Sequence, residues 1–309
     1  MRFRASKTIH KMNKKEPSNM NHQRKIEFFH SLKKNRLIRK IATPYMKAKY
    51  RRALNQYAES LDSKFVQTLR GTHIGERCFI IGNGPSLVPA DLEMIKNEYS
   101  FAFNRIYYMF DRTDWRPSCY MCVDHSVIDL NYREIERLDA PVKLLDLYAK
   151  KYHYKDARIH YLCCENIYAR NSKSDRQISF SEELSTCYCA GGTVTYTAIQ
   201  MAVYMGFSEI YLLGVDHSYS VMQKADGSIQ RDNSAKNYFE GLHATGITLL
   251  NVDVATAAYQ KAKAICESKG IRIYNATRGG KLDVFERIEL DTVIKNATDP
   301  AEFMIYGKN

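Results

Sequence analysis

The sequence predicts an α/β protein of the Rossmann-like type, with a mostly parallel sheet, helices on both faces and a basic helical arm at the N-terminus. Two observations favour this fold class. After Gly71, short apolar runs alternate with helical windows, which is typical of βα units in a parallel sheet. One of these runs, Cys78 to Ile81, leads directly into a turn that contains two glycines. We expect a basic N-terminal arm and helix over residues 1–70 and a Rossmann-like nucleotide-binding catalytic domain over residues 71–309.

The N-terminal arm carries most of the positive charge. Residues 1–52 hold 17 Lys and Arg against two acidic residues, whereas the rest of the chain holds 29 basic and 32 acidic residues. Such an arm could lie on an anionic membrane surface, or it could be a solvated segment or dock on the protein itself. No specific nucleic-acid partner is expected, because no recognisable DNA or RNA module accompanies the charge. Apolar residues at three- and four-residue spacing predict a helix within Tyr45 to Leu69.

Seven short apolar runs predict the strands of the sheet. Each run is separated from the next by polar or turn-forming residues. The predicted strands are Cys78 to Ile81, Ser100 to Phe103, Cys119 to Val123, Val142 to Leu147, Ile159 to Cys163, Ile210 to Gly214 and Ile271 to Tyr274.

Two helices have the clearest patterns. Val194 to Met205 is apolar on nearly all sides, so we expect it to be packed between other elements and to end at Gly206. Ala255 to Ser268 is apolar on one face. Between these helices, Ser218 to Gly246 is polar and irregular, which is typical of a lid or a binding loop.

Composition limits the class of protein and its compartment. A chain of 309 residues that is 45% apolar can bury a sizeable core, and no run of eighteen apolar residues predicts a membrane span. The segment from Met1 to Asn21 lacks the apolar run of a secretory signal. We therefore expect a cytoplasmic protein, which could be peripheral to the inner face of the membrane. The eight cysteines are then better explained as buried reduced thiols than as a metal site.

The first candidate site is the stretch CFIIGNGPSL. Gly82 and Gly84 allow the backbone to approach a ligand closely, while Pro85 and Ser86 suit the opening turn of a helix. Exposed N–H groups at a helix start favour a phosphate. Glycines can also occupy such a turn for steric reasons, and Leu87 stands where the last glycine of the dinucleotide fingerprint would be.

The second candidate site immediately precedes the apolar helix. Gly191 and Gly192 offer a flexible helix start, and Thr193 adds a hydroxyl group, which together suit a phosphate or a carboxylate. An ordinary helix cap, with glycines that allow close packing, explains the same residues equally well.

Polar residues follow three of the predicted strands. Asp216 and His217 come after Ile210 to Gly214, Asn104 ends the second strand, and Asp124 follows the third. In open α/β sheets the ligand crevice lies at the carboxyl ends of the strands. An asparagine there can read a base or a ribose through its paired donor and acceptor, although each of these residues could also cap a turn.

His243 lies in the irregular stretch, shortly after Tyr238. The near-neutral pKa of a histidine suits a general base. A histidine without a role on a surface loop is the commoner case.

Taken in order, these motifs resemble known families. The ordered set is GNGPSL, Phe103-Asn104, GGTVTYTAIQMAVYMGFSEIYLLGVDHSY and IYNATRGGKL. It resembles the MptE-like family, which is named for an archaeal 6-hydroxymethyl-dihydropterin diphosphokinase and whose bacterial members often resemble glycan-assembly proteins, including the motility-associated flagellin glycosyltransferases. It also resembles the CMP-sialic acid sialyltransferases of glycosyltransferase family 42. The match covers about residues 75 to 290.

The resemblance to the sialyltransferases implies roles for particular residues. It implies that the turn and the asparagine after the second strand hold the CMP moiety, and that Asp124 stands where those enzymes have a second cytidine-side asparagine. It implies a general base at His243, although the segment from Tyr238 to His243 is two residues longer than its counterpart. The implied nucleotide-binding residues are Gly82, Asn83, Gly84, Ser86 and Asn104, to which we add Pro85, Asp124, Gly191, Gly192 and Thr193. The catalytic candidates are His243, Tyr238, Asp216 and His217.

The resemblance favours a nucleotide-sugar-dependent glycosyltransferase that transfers a sugar from a CMP-linked donor, with inversion, to a glycan hydroxyl in surface-polysaccharide or glycoprotein assembly. The chain contains no D-x-D motif, which favours a donor that needs no bound cation. One alternative is a diphosphokinase that moves diphosphate from ATP to a pterin-type alcohol, with Mg²⁺ held by Asp216, Asp124 and Asp253. Another alternative is a non-catalytic nucleotide-binding member of the family.

Overall fold

The centre of the fold is an eight-stranded sheet in which every pair of neighbouring strands is parallel. The computed structural model describes residues 48, 50–165, 178–223, 228–232, 237–239 and 250–298. Its strand order is β11-β10-β6-β1-β2-β3-β4-β5. All seven predicted strands are confirmed, each within one residue at either end. The strands of the chain are β1 (Arg77–Ile81), β2 (Ser100–Phe103), β3 (Cys119–Cys122), β4 (Val142–Asp146), β5 (Ile159–Leu162), β6 (Glu209–Leu213), β7 (Val221–Gln223), β8 (Ile229–Arg231), β9 (Leu250–Asn251), β10 (Arg272–Asn275) and β11 (Glu286–Arg287).

Helices connect the strands. The helix predicted from Val194 to Met205 is confirmed, and Gly206 ends it with a φ of 93°. The second predicted helix begins at Val252, three residues earlier than expected, because the Asn251 side chain accepts from Val254 N and caps it. Within the described residues, residues 50–58 are helical, and the helices that follow are α1 (Leu61–Thr68), α2 (Pro89–Met94), α3 (His125–Arg137), α4 (Val194–Met205), α5 (Val252–Ser268) and α6 (Leu290–Thr298).

The helices cover both faces of the sheet, as predicted. Side chains alternate along each strand, so Ile80 belongs to one apolar cluster and Ile81 to the other. The first cluster includes residues of α1, α4 and α5, and the second includes residues of α2, α3 and α6. Cys119 and Cys122 fall into different clusters, so the alternation separates the two thiols of the single CxxC motif. All eight cysteines are free thiols.

The order of the strands creates one switch point. From β1 the chain adds β2, β3, β4 and β5 in one direction, and it then returns through α4 to place β6 on the other side of β1. β1 pairs with both β2 and β6. In open α/β sheets, ligands bind beyond the carboxyl ends of the strands at such a point. The turn after β1 and the segment after β6 therefore define where the site should lie.

The chain divides into two compact units, Met1–Arg51 and Arg52–Asn309. Helix α1 lies in the second unit, where Ser63 Oγ donates to Ser185 O over 2.7 Å and Val66 is fully buried. Residues 1–47, which hold most of the predicted arm, lie outside the described residues.

Part of the stretch predicted to be irregular forms a second small sheet. Strand β7 pairs with β8 in antiparallel fashion and with β9 in parallel. The expectation of an irregular loop is therefore wrong for residues 221–223 and 229–231. Within the described residues, the helices are too short or too polar to cross a bilayer.

Candidate functional site

The turn after β1 packs against the end of β6. Gly82 N donates to Leu213 O over 2.7 Å, and Gly84 N donates to Gly214 O over 2.8 Å. A Cβ atom at Gly84 would overlap Asp216 Oδ2 and would lie 2.6 Å from Gly214 O. Only glycine fits this position, so the two backbones meet at the switch point of the sheet.

Several N–H groups of this turn bind protein atoms. Besides the bonds of the two glycines, Ser86 N lies 3.4 Å from Asp216 Oδ2, and Pro85 has no N–H group. The helix expected to open at Pro85 begins instead at Pro89, after a turn. The two glycines are therefore required by the close packing of the turn on the end of β6.

Asn83 joins the turn to two other segments. Its Nδ2 donates to Phe103 O over 3.0 Å at the end of β2, and its main-chain oxygen accepts from Phe239 N over 3.1 Å. Its Oδ1 is buried and has no hydrogen-bond partner among the described residues. Leaving a buried polar atom unsatisfied costs about 1–3 kcal/mol, so we expect this oxygen to accept a hydrogen bond from a ligand.

Asn104 stands at the same edge, directly after β2. Its backbone has a left-handed φ of 51°, which asparagine tolerates better than most residues. Asn104 N donates to Met121 O over 3.3 Å, and Asn104 O accepts from the Tyr120 hydroxyl over 2.7 Å. These contacts with β3 hold the residue at the ligand edge next to the segment that Asn83 contacts.

Asp216 points toward the glycine turn. The Ser86 hydroxyl donates to Asp216 Oδ2 over 2.7 Å. Burial raises the pKa of Asp216 above its ordinary value, and the hydrogen bonds from Ser86 offset part of that rise. The main-chain oxygen of Asp216 accepts from Lys281 N over 2.7 Å. Asp216 therefore joins the turn after β1 to the loop after β10.

His217, the next residue, contacts α5 instead. Its Nε2 lies 2.8 Å from Thr256 Oγ1, and Thr256 uses its own hydroxyl hydrogen on Val252 O, so Nε2 must carry the proton in this pair. Its Nδ1 is buried and unpaired among the residues that are described. Burial lowers the pKa of His217. His217 and Thr256 line a cavity of about 540 Å³, so two adjacent candidates serve different parts of the molecule.

The start of α4 is built mainly for packing. A Cβ atom at Gly191 would overlap the Tyr196 ring and lie 2.7 Å from the Ala258 Cβ, so this glycine is required by α5. Thr193 caps α4 by accepting from Thr195 N, and Gly192 has the left-handed φ of 79°. This outcome matches the ordinary helix cap that the sequence left open.

Asp124 follows β3, and Tyr238 precedes Phe239, whose N–H group donates to Asn83 O. Asp124 caps α3 by accepting from Ser126 N over 2.8 Å and from Val127 N over 3.3 Å. Burial raises the pKa of Tyr238, with Arg105 lowering it and Asp124 raising it, so the phenol lies within electrostatic reach of both. His243 lies outside the described residues.

The loop after β10 also borders the site, which the sequence analysis did not predict. A Cβ atom at Gly280 would lie 2.7 Å from Asp216 O, so the loop packs on the end of β6. The Arg287 guanidinium donates to the carbonyl oxygens of Thr277 and Gly279 and holds the loop in place. The motif Arg278-Gly279-Gly280-Lys281 was the available signal, because two adjacent glycines after a strand indicate a close approach.

Ser86→Ala is expected to lower the free energy of unfolding by about 1.5–3 kcal/mol at pH 7, since the buried Asp216 carboxylate would lose its hydroxyl donor. In the fold the pKa of Asp216 lies above 3.8, so the unfolded chain ionises first and stability falls as the pH rises from about 3.8 through the folded pKa. Because the hydrogen bonds from Ser86 lower the pKa of Asp216, Ser86→Ala should increase the loss of stability between pH 4 and pH 7. Urea unfolding at pH 4 and pH 7 measures it, with the exposed Ser268→Ala as control. An equal loss at both pH values would contradict the role of Asp216.

Comparisons with known proteins place the chain in a family. The structure is similar to that of the MAf glycosyltransferase of Magnetospirillum magneticum AMB-1, with 15% sequence identity and a TM-score of 0.46. The match includes 81% of this chain but only 42% of the MAf chain. The structure is also similar to that of the sialyltransferase CstII of Campylobacter jejuni in complex with cytidine-5'-monophosphate, with 15% sequence identity and a TM-score of 0.45. That match includes 70% of this chain and 85% of the CstII chain. No curated protein matches in sequence. Because the family model described as 6-hydroxymethylpterin diphosphokinase MptE-like matches residues 49–222, the chain belongs to the MptE-like family.

Proposed function

We propose that the protein is a glycosyltransferase that moves a sugar, with inversion, from a CMP-linked donor to a hydroxyl of a glycan in surface-polysaccharide or glycoprotein assembly. The observation that carries the proposal is the buried Asn83 Oδ1, which has no partner among the described residues and lies at the switch point of the sheet. An amide oxygen in that place can accept from a ribose hydroxyl or an exocyclic amine. CMP is the first nucleotide to test because the ordered motifs resemble those of CMP-dependent enzymes.

The neighbouring residues suit a nucleotide in this orientation. Asn83 and Asn104 would face the nucleoside, since the Asn83 side chain donates to the end of β2 and the Asn104 main-chain oxygen accepts from Tyr120 on β3. The hydroxyls of Tyr219 and Tyr238 would donate to the departing phosphate, and burial raises the pKa of both phenols, which keeps them protonated. His243 as the base stays a prediction from the resemblance. We propose no resident cofactor for this reaction.

The family description favours one second candidate, the transfer of diphosphate from ATP to a pterin-type alcohol. That reaction needs Mg²⁺ held by carboxylates near the phosphates. In the part of the chain that the structure describes, no three His, Cys, Asp or Glu side chains form a group that could hold a metal ion. Asp124 Oδ1 accepts from the start of α3, and Asp216 Oδ2 accepts from the Ser86 hydroxyl.

A thermal-shift screen of CMP, CDP, UDP, GDP and ATP, each with Mg²⁺ and with EDTA, tests the proposal. CMP at a hundred times its dissociation constant should stabilise the fold by about 2.7 kcal/mol, and EDTA should leave this effect intact. Asn83→Ala should remove the shift, whereas the exposed Asn97→Ala should keep it. Stabilisation only by ATP with Mg²⁺ would favour the diphosphokinase. CMP binding without turnover of any CMP-sugar would favour the non-catalytic member.

A further inference from the structure

His125 and Asp146 form a hydrogen-bonded pair at the carboxyl edge of the sheet. His125 is the first residue of α3, and Asp146 is the last residue of β4. The His125 Nε2 lies 3.0 Å from Asp146 Oδ1, and the ring stacks on Tyr148 with 3.9 Å between the ring centroids. The His125 side chain is 54% exposed, whereas that of Asp146 is 7% exposed.

The hydrogen-bond partners of Asp146 determine which ring nitrogen of His125 carries a proton. Asp146 Oδ1 also accepts from Tyr148 N over 2.8 Å, and Oδ2 accepts from the Tyr188 hydroxyl over 2.7 Å. All three partners can donate, so the buried group is satisfied as a carboxylate. His125 must then donate through Nε2–H, which leaves Nδ1 as the basic atom of an exposed ring.

The charged groups around the ring favour its protonated form. The hydrogen bond to Asp146 raises the pKa of His125 above its ordinary value, against an opposing effect of burial. Asp124 and Asp129 on α3 add to this rise. Lys151 lies over the Tyr148 ring and pairs with Asp129. The hydrogen bond to Asp146 therefore makes the exposed ring more basic than a free histidine.

A second histidine pair provides a contrast. His73 Nδ1 lies 2.8 Å from Glu76 Oε2 just before β1, at the opposite edge of the sheet. There the histidine is 24% exposed and stacks on Phe207, while its carboxylate is 59% exposed. In the pair of His125 and Asp146 the exposures are reversed, because the carboxylate is buried and the imidazole is exposed to solvent. That is the arrangement of an oriented base.

The pair lies at the same carboxyl edge of the sheet as Asn83 and Asn104. Strand β3 is two strands from β1, or about 10 Å at the usual strand spacing. His125 follows Asp124, which lies within electrostatic reach of Tyr238, and the next residue, Phe239, bonds to Asn83 O. A donor bound at Asn83 and Asn104 would therefore extend along the edge that carries His125.

We propose that His125, in place of His243, is the base that activates the acceptor hydroxyl, with Asp146 as its positioning residue. This inference rests on the proposed function. The hydroxyl proton passes to His125 Nδ1 while the hydroxyl oxygen forms a bond to the anomeric carbon of the donor. The bond from that carbon to the nucleotide phosphate breaks, and CMP departs with the electron pair. Asp146 remains a carboxylate throughout, and the imidazolium later releases its proton to solvent.

The test measures CMP release from CMP-N-acetylneuraminic acid with lactose as acceptor. His125→Gln keeps an N–H donor for Asp146 but lacks the basic nitrogen, so kcat should fall about 10²-fold or more while CMP affinity stays unchanged. His125→Ala should be rescued by added imidazole. Asp146→Asn should move the acid limb of the pH–kcat profile to lower pH. Glu76→Gln is the matched control and should leave kcat unchanged.

The outcomes separate this inference from the proposed function. A wild-type protein that neither binds CMP nor releases it overturns both. Wild-type release with an unchanged rate in His125→Gln overturns the base role alone, and in that case His243→Gln should abolish release. Histidine titration by NMR gives a readout without donor: a His125 pKa that Asp146→Asn does not lower overturns the dyad.

Discussion

Gly84→Ala is expected to abolish stabilisation by CMP and to lower the free energy of unfolding by about 3 kcal/mol or more. The added Cβ would overlap Asp216 Oδ2 and would lie 2.6 Å from Gly214 O. Gly214, directly after β6, cannot move away from the added Cβ without breaking the bond from Gly84 N to Gly214 O. The turn must therefore move away from the switch point, and Asn83 moves with it. Urea unfolding and the thermal-shift screen measure the two effects.

A second glycine separates this packing effect from backbone strain. Gly270 has a φ of 70°, and an added Cβ there would meet nothing within 4 Å. Gly270→Ala should therefore cost only the strain of a left-handed alanine, about 1–2 kcal/mol, and should leave the response to CMP intact. Equal effects of the two substitutions, or a normal response to CMP in Gly84→Ala, would contradict the packing of the turn on β6.

Lys143→Met is expected to lower the free energy of unfolding by about 3–5 kcal/mol. Lys143 lies in β4 with a fully buried side chain, and its Nζ donates to Ile135 O, Glu136 O and Asp156 Oδ2. The substitution would strand two carbonyl oxygens at the end of α3 and remove one partner of a largely buried carboxylate. The exposed Lys155→Met provides the control. A loss below about 1 kcal/mol would show that these groups find other partners.

The pH dependence of this pair has a defined sign. Burial would raise the pKa of Asp156, but hydrogen bonds from Arg158 and Lys143 outweigh it and hold the pKa below 3.8. The pairing therefore stabilises the fold above the unfolded pKa, and the stabilisation is lost as the pH falls toward the folded value. Urea unfolding between pH 3 and pH 7 should show a steeper acid loss in the wild type than in Lys143→Met.

Local patterns were sufficient for the elements of the fold. The seven predicted strands and the helix from Val194 to Met205 agree with the structure because apolar runs, glycine stops and helical spacing are properties of neighbouring residues. The short strands β7 and β8 were missed, since each is only three residues long and its pairing partner is supplied by the fold. The start of α5 was placed too late because Asn251 caps it outside the apolar pattern.

The sequence by itself determined the parallel sheet, its two covered faces and the edge where the polar residues gather. The tertiary structure decided what those residues do. It bound the glycine turn to β6, turned Asp216 and His217 toward different neighbours, and brought His125 to Asp146 from another strand. Hydrogen-bond partners such as Ser86 and Asp216 lie 130 residues apart, and only the strand order brings them together. A residue's type is local information, whereas its partner is a consequence of the whole fold.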